Sequence, residues 1–454
     1  MVLVYFGLML LLSALAYYLG RGQASSLPRP LAALPTYHGA RLALFAFFPM
    51  LGLFILWEAI VPRLLMSRAI SSLPTDLQPA DALSLSARTR ELLAVVNGTP
   101  SADISETVRA AGQALASNLS MAGMILLVLG LAVAGAGVFW AKSQITQQLR
   151  ARHTVEGTVN WLLIACSAIA ILTTLGIVMS VVFETFQFFT KVSPVDFLFG
   201  TKWSPQTAIR EDQVGSSGAF GFIPLFIGTL VVMIVAMCVA APIGLFSAIY
   251  MAEYATPRVR AFAKPVLEIL AGIPTVVYGF FAALTVAPLV RDIGRAAGFD
   301  VSSESALAAG IVMGVMITPF ISSLADDVIN AVPQAMRDGS YAMGATKSET
   351  VKKVVLPAAL PGIVAAIMLA ISKAIGETMI VVMAAGLAAN LTLNPLNSVT
   401  TITVQIATML VGDQEFDSAK TLSAFALGFV LFIFTLGLNI IALHIAKKYK
   451  EQYD

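Results

Sequence analysis

The run Pro361-Gly-Ile-Val-Ala-Ala-Ile-Met-Leu-Ala-Ile-Ser-Lys373-Ala-Ile-Gly-Glu377-Thr378 sets two opposite charges four residues apart inside an apolar segment that continues to Leu387. At about 1.5 Å of rise per residue, a helix through this run puts Lys373 about 18 Å from Pro361, near the midplane of a hydrocarbon core about 30 Å thick. An ionised group at that depth costs about 2.5–3.5 kcal/mol on insertion scales. Such a cost is tolerated where the charges face a bundle interior, pair with each other or line a polar path. The stretch therefore reads as a buried ionic site within a helical membrane protein.

Composition agrees. Of 454 residues, 58% are hydrophobic and 12% charged, against about 25% charged in a soluble domain. Cys166 and Cys238 lie inside apolar runs and offer neither a disulfide framework nor metal-ligand spacing. His38, His153 and His444 are far apart, near the expected membrane boundaries. There is no HExxH and no GxSxG. No catalytic residue and no metal site is predicted, and the chain is not read as an enzyme.

Nine apolar segments are long enough to span, at about 2–19, 42–61, 121–141, 159–183, 223–250, 266–290, 305–325, 361–387 and 421–446. Their length and continuity fit helices and not barrel strands. The first lacks a basic region before it and is read as a retained helix, not a signal peptide. Basic residues mark one side: Arg21, Arg29 and Arg41; Lys142, Arg150 and Arg152; Arg258, Arg260 and Lys264; and the tail Lys447, Lys448 and Lys450. With nine alternating helices these connections share a side, which the positive-inside rule makes the cytoplasm. The C-terminus is then cytoplasmic and the N-terminus external. Opposite connections are mixed or acidic, as in 388–420 with Asp413, Glu415 and Asp417.

Two external segments are long. Residues 62–120 are polar, and Ser84–Val96 and Ser101–Ser117 read as short amphipathic helices. Residues 184–222 hold Trp203, Pro205 and the glycine-rich stretch Gly215 to Gly221, read as an ordered loop at the membrane surface. The chain divides into a three-helix N-terminal extension, 1–150, and a six-helix core, 151–454.

The cytoplasmic connection at 326–360 is unusually long. Its pattern is helical before Gly344 and after Ser348. Gly344 suits a helix C-terminal break, and Thr346 or Ser348 can cap the next helix. Glu349 and Lys353 share a face at i,i+4. Two short helices meeting at a glycine turn, closed by Leu356-Pro357, form a knuckle. It either docks into a groove on a cytoplasmic partner or is a solvated hairpin. Gly339 and Gly344 are followed by Ala345 rather than Lys, so the segment is not a phosphate-cradling nucleotide loop.

This loop resembles the coupling motif of ABC importer permeases, Glu-Ala-Ala, three residues, Gly, nine residues, Ile, one residue, Leu-Pro. Asp338, Gly339 and Ser340 stand at the Glu-Ala-Ala positions, and Gly344, Val354, Leu356 and Pro357 follow at the motif's spacing. Asp replaces Glu, Gly and Ser replace the alanines, and Val replaces Ile; Gly339 weakens the first helix by up to about 1 kcal/mol relative to Ala. Lys373-Ala-Ile-Gly-Glu377-Thr378 resembles the Gly-Arg-Ala-x-Gly-Glu-Thr signature of phosphate importer permeases. Ile273-Pro274-Thr275-Val276-Val277-Tyr278-Gly279 resembles their Ile-Pro-Ser-Val-Val-Tyr-Gly stretch, and Phe197-Leu-Phe-Gly200-Thr201, Trp203 and Phe220-Gly221 match the external loop of PstC-type subunits. The likeness covers about 160–454, and assigns residues 1–150 no role.

The resemblance implies an all-α type I ABC importer permease core with three added N-terminal helices, in a bacterial inner membrane. It implies phosphate passage along Lys373, Glu377, Thr378, Thr275 and Tyr278, and coupling through Asp338, Gly339, Ser340, Gly344, Leu356 and Pro357. It implies an ABC ATPase dimer that binds the ATP, a second permease of PstA type and an external phosphate-binding protein. No cofactor of the chain's own and no nucleic acid are expected. The residue chemistry fits: Lys373 offers three donors and a positive charge to an oxyanion, and Glu377 can accept the proton that phosphate carries and sulfate does not. Lys lacks the bidentate fork of the usual Arg, so the ligand is held more loosely or the site gates. Other readings remain open at this point: a self-satisfied ion pair that fixes packing, core packing for Thr275 and Tyr278, kinks at Pro242, Pro288 and Pro319, a permease for phosphonate or another oxyanion, a secondary transporter using the Lys373–Glu377 pair as a proton relay, or a membrane scaffold.

Overall fold

In the computed structural model, residues 2–74, 77–79, 81–99, 104–205, 218–411 and 417–448 are described. Among them nine helices are long and apolar enough to cross a membrane: Val2–Ser25, Pro35–Ser71, Glu106–Ser143, Ala151–Lys191, Ile223–Tyr254, Thr275–Ala296, Ala306–Asn330, Lys347–Ile375 and Ala419–Ile445. Asp413, Glu415, Lys450 and most of the glycine-rich stretch before Gly218 lie outside the described residues.

The chain forms two units, Met1–Leu172 and Thr173–Asp454. The first packs α1 (Val2–Ser25), α2 (Pro35–Ser71) and α4 (Glu106–Ser143), with α3 (Ala82–Val96) against α4. Small residues bring the helix axes close, as membrane packing favours: a Cβ on Gly20 would meet the His38 carbonyl at 2.9 Å. The Tyr5 hydroxyl donates to the Met50 carbonyl at 2.8 Å. Ser101–Ser117 does not form a separate amphipathic helix: from Glu106 it is the outer end of α4, because no proline or positive-φ residue separates it from the apolar run.

In the second unit, α5 (Ala151–Lys191) enters from the first and is followed by α6 (Pro194–Phe199) and a two-stranded antiparallel pair, β1 (Trp203–Ser204) with β2 (Ala219–Phe220). Phe188, Phe197, Trp203, Phe220 and Phe222 form its aromatic core, and the Trp203 indole donates to Gln405 at 3.0 Å. Gly221 is obligatory here, since a Cβ would lie 2.4 Å from the Gly200 carbonyl carbon. The principal core joins α7 (Ile223–Ile249) to α11 (Ala306–Asn330). Val235 and Val239 seat against Gly310 and Gly314, where a Cβ would approach to 2.5 and 2.7 Å.

The remaining elements are α8 (Pro257–Gly272), α9 (Thr275–Phe281), α10 (Ala287–Ala296), α12 (Gln334–Ala342), α13 (Lys347–Thr350), α14 (Leu356–Ile375), α15 (Met379–Ala384), α16 (Ile402–Met409) and α17 (Ala419–Lys448). Three π turns, Tyr250–Tyr254, Ala282–Val286 and Val351–Val355, each lie just before a proline: Pro257, Pro288 and Pro357. At Pro288 and Pro357, where the helix continues, a widened turn removes the clash between the proline ring and the carbonyl four residues earlier; at Pro257 the helix has already ended at the extended Ala255.

Two spans differ from the sequence expectation. The sixth runs from Thr275 to Ala296, not 266–290. Ile273 is extended, as a residue before proline prefers, and separates the surface helix α8 from α9. The eighth runs from Lys347 to Ile375, not 361–387. Its helix ends at Gly376, so Lys373 and Glu377 do not lie on one continuous helix.

Candidate functional site

Lys373 occupies the last turn of α14, and Glu377 lies in the non-helical break before α15. The Lys373 ammonium sits 4.9 Å from the centre of the Phe320 ring. Among the described residues it forms no ion pair with Glu377 or any other acid. The self-satisfied pair is therefore absent. Glu377 instead accepts the Met379 backbone N–H at 3.1 Å, and its own carbonyl accepts from Thr403 Oγ1 at 2.8 Å. Thr378 is the half-buried N-cap of α15 and caps it with no side-chain hydrogen bond.

Lys373 lines a cavity of about 240 Å³ with Met251, Lys264, Glu268, Phe320, Ser323 and Asp326, among others. A water's share of volume is about 30 Å³, so the space admits one small oxyanion with part of its hydration. The amphipathic helix α8 builds one wall: Lys264, Leu267, Glu268 and Ala271 recur at helical spacing toward the cavity. Phe262, Val266 and Ile269 on its other face are exposed. Glu377 does not line this cavity.

The cavity's inner end is pinned by charge. Asp326, 1% exposed, accepts from Arg260 Nη2 through both carboxylate oxygens, at 2.9 and 3.1 Å, and lies 3.4 Å from Lys264. Asn330 donates to Asp326 Oδ1 at 2.9 Å, and Lys264 also lies 3.6 Å from Asp327. Asp326 thus belongs to the inner turns of α11 rather than to the loop after it.

Thr275 and Tyr278 flank the second break. The Tyr278 hydroxyl donates to the Leu270 carbonyl at 2.9 Å and the residue is buried in the principal core. It ties α9 back to the end of α8, and Gly279 beside it lets Met379 and Met383 of α15 approach. Thr275 is half-buried at the start of α9.

The two short helices of the 326–360 connection meet as expected. Gly344 has φ 81°, a left-handed C-terminal break. Thr346 caps α13, with its N–H donating to Glu349 at 2.9 Å, and Glu349 and Lys353 face each other at 3.8 Å. Ser340 bonds Thr350 at 2.9 Å, tying α12 to α13. Asp338 is exposed and accepts from Gln334 at 3.0 Å. The helix survives Gly339. Leu356 and Pro357 do not end the second helix; they open α14 after the π turn. At the tip, Met343 is 88% exposed.

Sequence reasoning missed three residues. Arg337 of α12 is buried and bonds Glu253, in the π turn after α7, at 2.9 and 3.0 Å, and it donates to the Ile329 and Val332 carbonyls. Glu253 stands in sequence beside the basic connection of Arg258, Arg260 and Lys264, with no local spacing to Arg337. Glu268 shares Lys373's cavity; its sequence signal was a lone carboxylate within an expected span, four residues after Lys264 and eight after Arg260.

Residues 240–451 match the family described as binding-protein-dependent transport system inner membrane component, and residues 7–173 match one described as phosphate ATP-binding cassette transporter. A probable ABC transporter permease, YqgH of Bacillus subtilis, is 34% identical over 214 residues, 47% of this chain and 65% of that protein. Phosphate transport system permease PstC 1 of Mycobacterium tuberculosis is 30% identical over 188 residues, 37% of this chain and 56% of that protein. PstC of Mesorhizobium japonicum is 29% identical over 264 residues, covering 54% and 76%. The chain thus spans less than two thirds of the length of the first two. Nine apolar helices and these permease relatives make it a multi-pass inner-membrane protein. Residues 240–451 are thus similar to the binding-protein-dependent transport system inner membrane components, and the relatives at about 30% identity include PstC-type permeases.

Proposed function

We propose that this chain is one permease subunit of an ATP-driven phosphate importer. The carrying observation is the Lys373 ammonium, without an acid partner among the described residues, lining a cavity that also holds Lys264, Glu268, Ser323 and Asp326 beside a helix break. Lys373 is exposed in the single chain; a charge there cannot face lipid without the cost given above. Its open side belongs to a water-filled path or a second permease of PstA type. Lys373 attracts the anion, and the breaks at Pro274 and Gly376 supply backbone polar groups where a path needs them. Glu377 and Thr378 border the second break, and Thr275 and Tyr278 the first.

The exposed tip at Met343, held by Gly344 and the Ser340–Thr350 bond, suits docking into an ABC ATPase dimer better than a solvated hairpin does, since a large apolar side chain gains nothing from water. That partner binds the ATP; an external phosphate-binding protein delivers the solute; the chain needs no cofactor of its own. Asp338, Gly339, Leu356 and Pro357 belong to the same lever, which works on the cavity through α14.

The test is phosphate uptake by the reconstituted complex. Lys373→Ala is expected to lower ATP-dependent uptake at least about tenfold, the factor that 1.4 kcal/mol represents, while the ATPase still co-purifies. Equal uptake by the variant, or by vesicles lacking the ATPase, would overturn the reading.

A further inference from the structure

The cavity holds two opposite charges that leave each other unused. Glu268 forms no ion pair among the described residues, although Lys264 stands one helical turn before it. Lys264 turns instead to Asp326 and Asp327. Lys373 rests against Phe320 and likewise has no acid partner. Both line the same 240 Å³ space, with Ser323 beside them. A carboxylate and an ammonium that line one cavity, each without an ion-pair partner among the described residues, fit a ligand that engages both.

That requirement is chemically narrow. The ligand must present anionic oxygens to Lys373 and an acidic proton to Glu268. Singly and doubly charged phosphate and arsenate carry such a proton near neutrality; sulfate carries none and meets carboxylate repulsion. A site built to accept a hydrogen bond rejects a ligand lacking the donor strongly, because its acceptor is left unpaired. Glu377 is poorly placed for this task, since its carboxylate already accepts the Met379 N–H.

We propose that the cavity between α8, α11 and the end of α14 binds a protonated tetrahedral oxyanion bridging Lys373 and Glu268, and that Glu268, not Glu377, discriminates phosphate from sulfate. This rests on the permease reading for its place in transport, while the binding claim stands apart from it.

The experiment measures binding of radiolabelled phosphate and sulfate to the purified permease–ATPase complex by equilibrium dialysis, with no external binding protein present. Wild type is expected to prefer phosphate. Glu268→Gln should cut the phosphate-to-sulfate affinity ratio about tenfold, Glu268→Asp should retain most of it, and Glu377→Gln should leave it unchanged. Glu268 is exposed and lies outside the hydrophobic cores, so its variants should assemble; Glu268→Ala provides a second removal of the carboxylate. An unchanged ratio in the Gln and Ala variants, a lost ratio in Glu377→Gln alone, or no binding by wild type overturns the inference. Wild type that fails to take up phosphate in the uptake assay, yet shows the Glu268-dependent ratio, overturns the permease reading and leaves the site standing.

Discussion

Arg337 and Glu253 are 10% and 6% exposed in their side chains and 84 residues apart in sequence. Removing one member strands a buried charge, at about 3–5 kcal/mol, whereas replacing both with apolar residues of similar volume is often neutral. Arg337→Ala should therefore lower the thermal unfolding midpoint of the detergent-purified complex clearly, and Arg337→Met with Glu253→Leu should lower it less than either single change. A double variant as poor as the sum of the singles would show that no coupling links the two. This pair was illegible in the sequence because no local spacing relates its members. Lys373 was legible for the opposite reason: a cation inside an apolar run is conspicuous by its cost alone. Four residues on a continuous helix would put Glu377 on the same face, and Gly376 ends that helix, so the two form no ion pair. Glu268 had a local signal, the i,i+4 ladder from Arg260 through Lys264, which a hydropathy count passes over.

The two short helices α12 and α13 depend on one backbone conformation. At φ 81° a side chain with a Cβ costs about 1–2 kcal/mol, and nothing lies within 4 Å of a Cβ at Gly344, so the penalty is purely torsional. Gly344→Val should reduce ATP-coupled uptake about five- to thirtyfold, and Gly344→Asn should retain most of it, since Asn tolerates this region better; equal uptake by both would sink the argument. The knuckle was readable because glycine, Thr346 and Glu349 each carry a local backbone preference. The number of spans was readable because apolar runs report lipid contact. The limits of the sixth and eighth were not, because the apolar runs continue on both sides of Ile273-Pro274 and of Gly376, where the backbone turns.

Across the molecule, the charge pattern sets Met343 and Leu393 on opposite sides of the bilayer. Both are well exposed, at 88% and 77%. In a background with Cys166 and Cys238 replaced by serine, Met343→Cys should react with a membrane-impermeant maleimide only in inside-out vesicles, and Leu393→Cys only in right-side-out ones; labelling of both from one side would invert or break the assigned topology. The wide turn at Val351–Val355 bears on this scale as well. Each residue of a helix advances about 100°, and this turn stands at the foot of the rod that carries Lys373 at its far end. Its one surplus residue fixes the azimuth at which that ammonium emerges, so the turn also acts as an index mark for the orientation of a charge more than a dozen residues further along the chain.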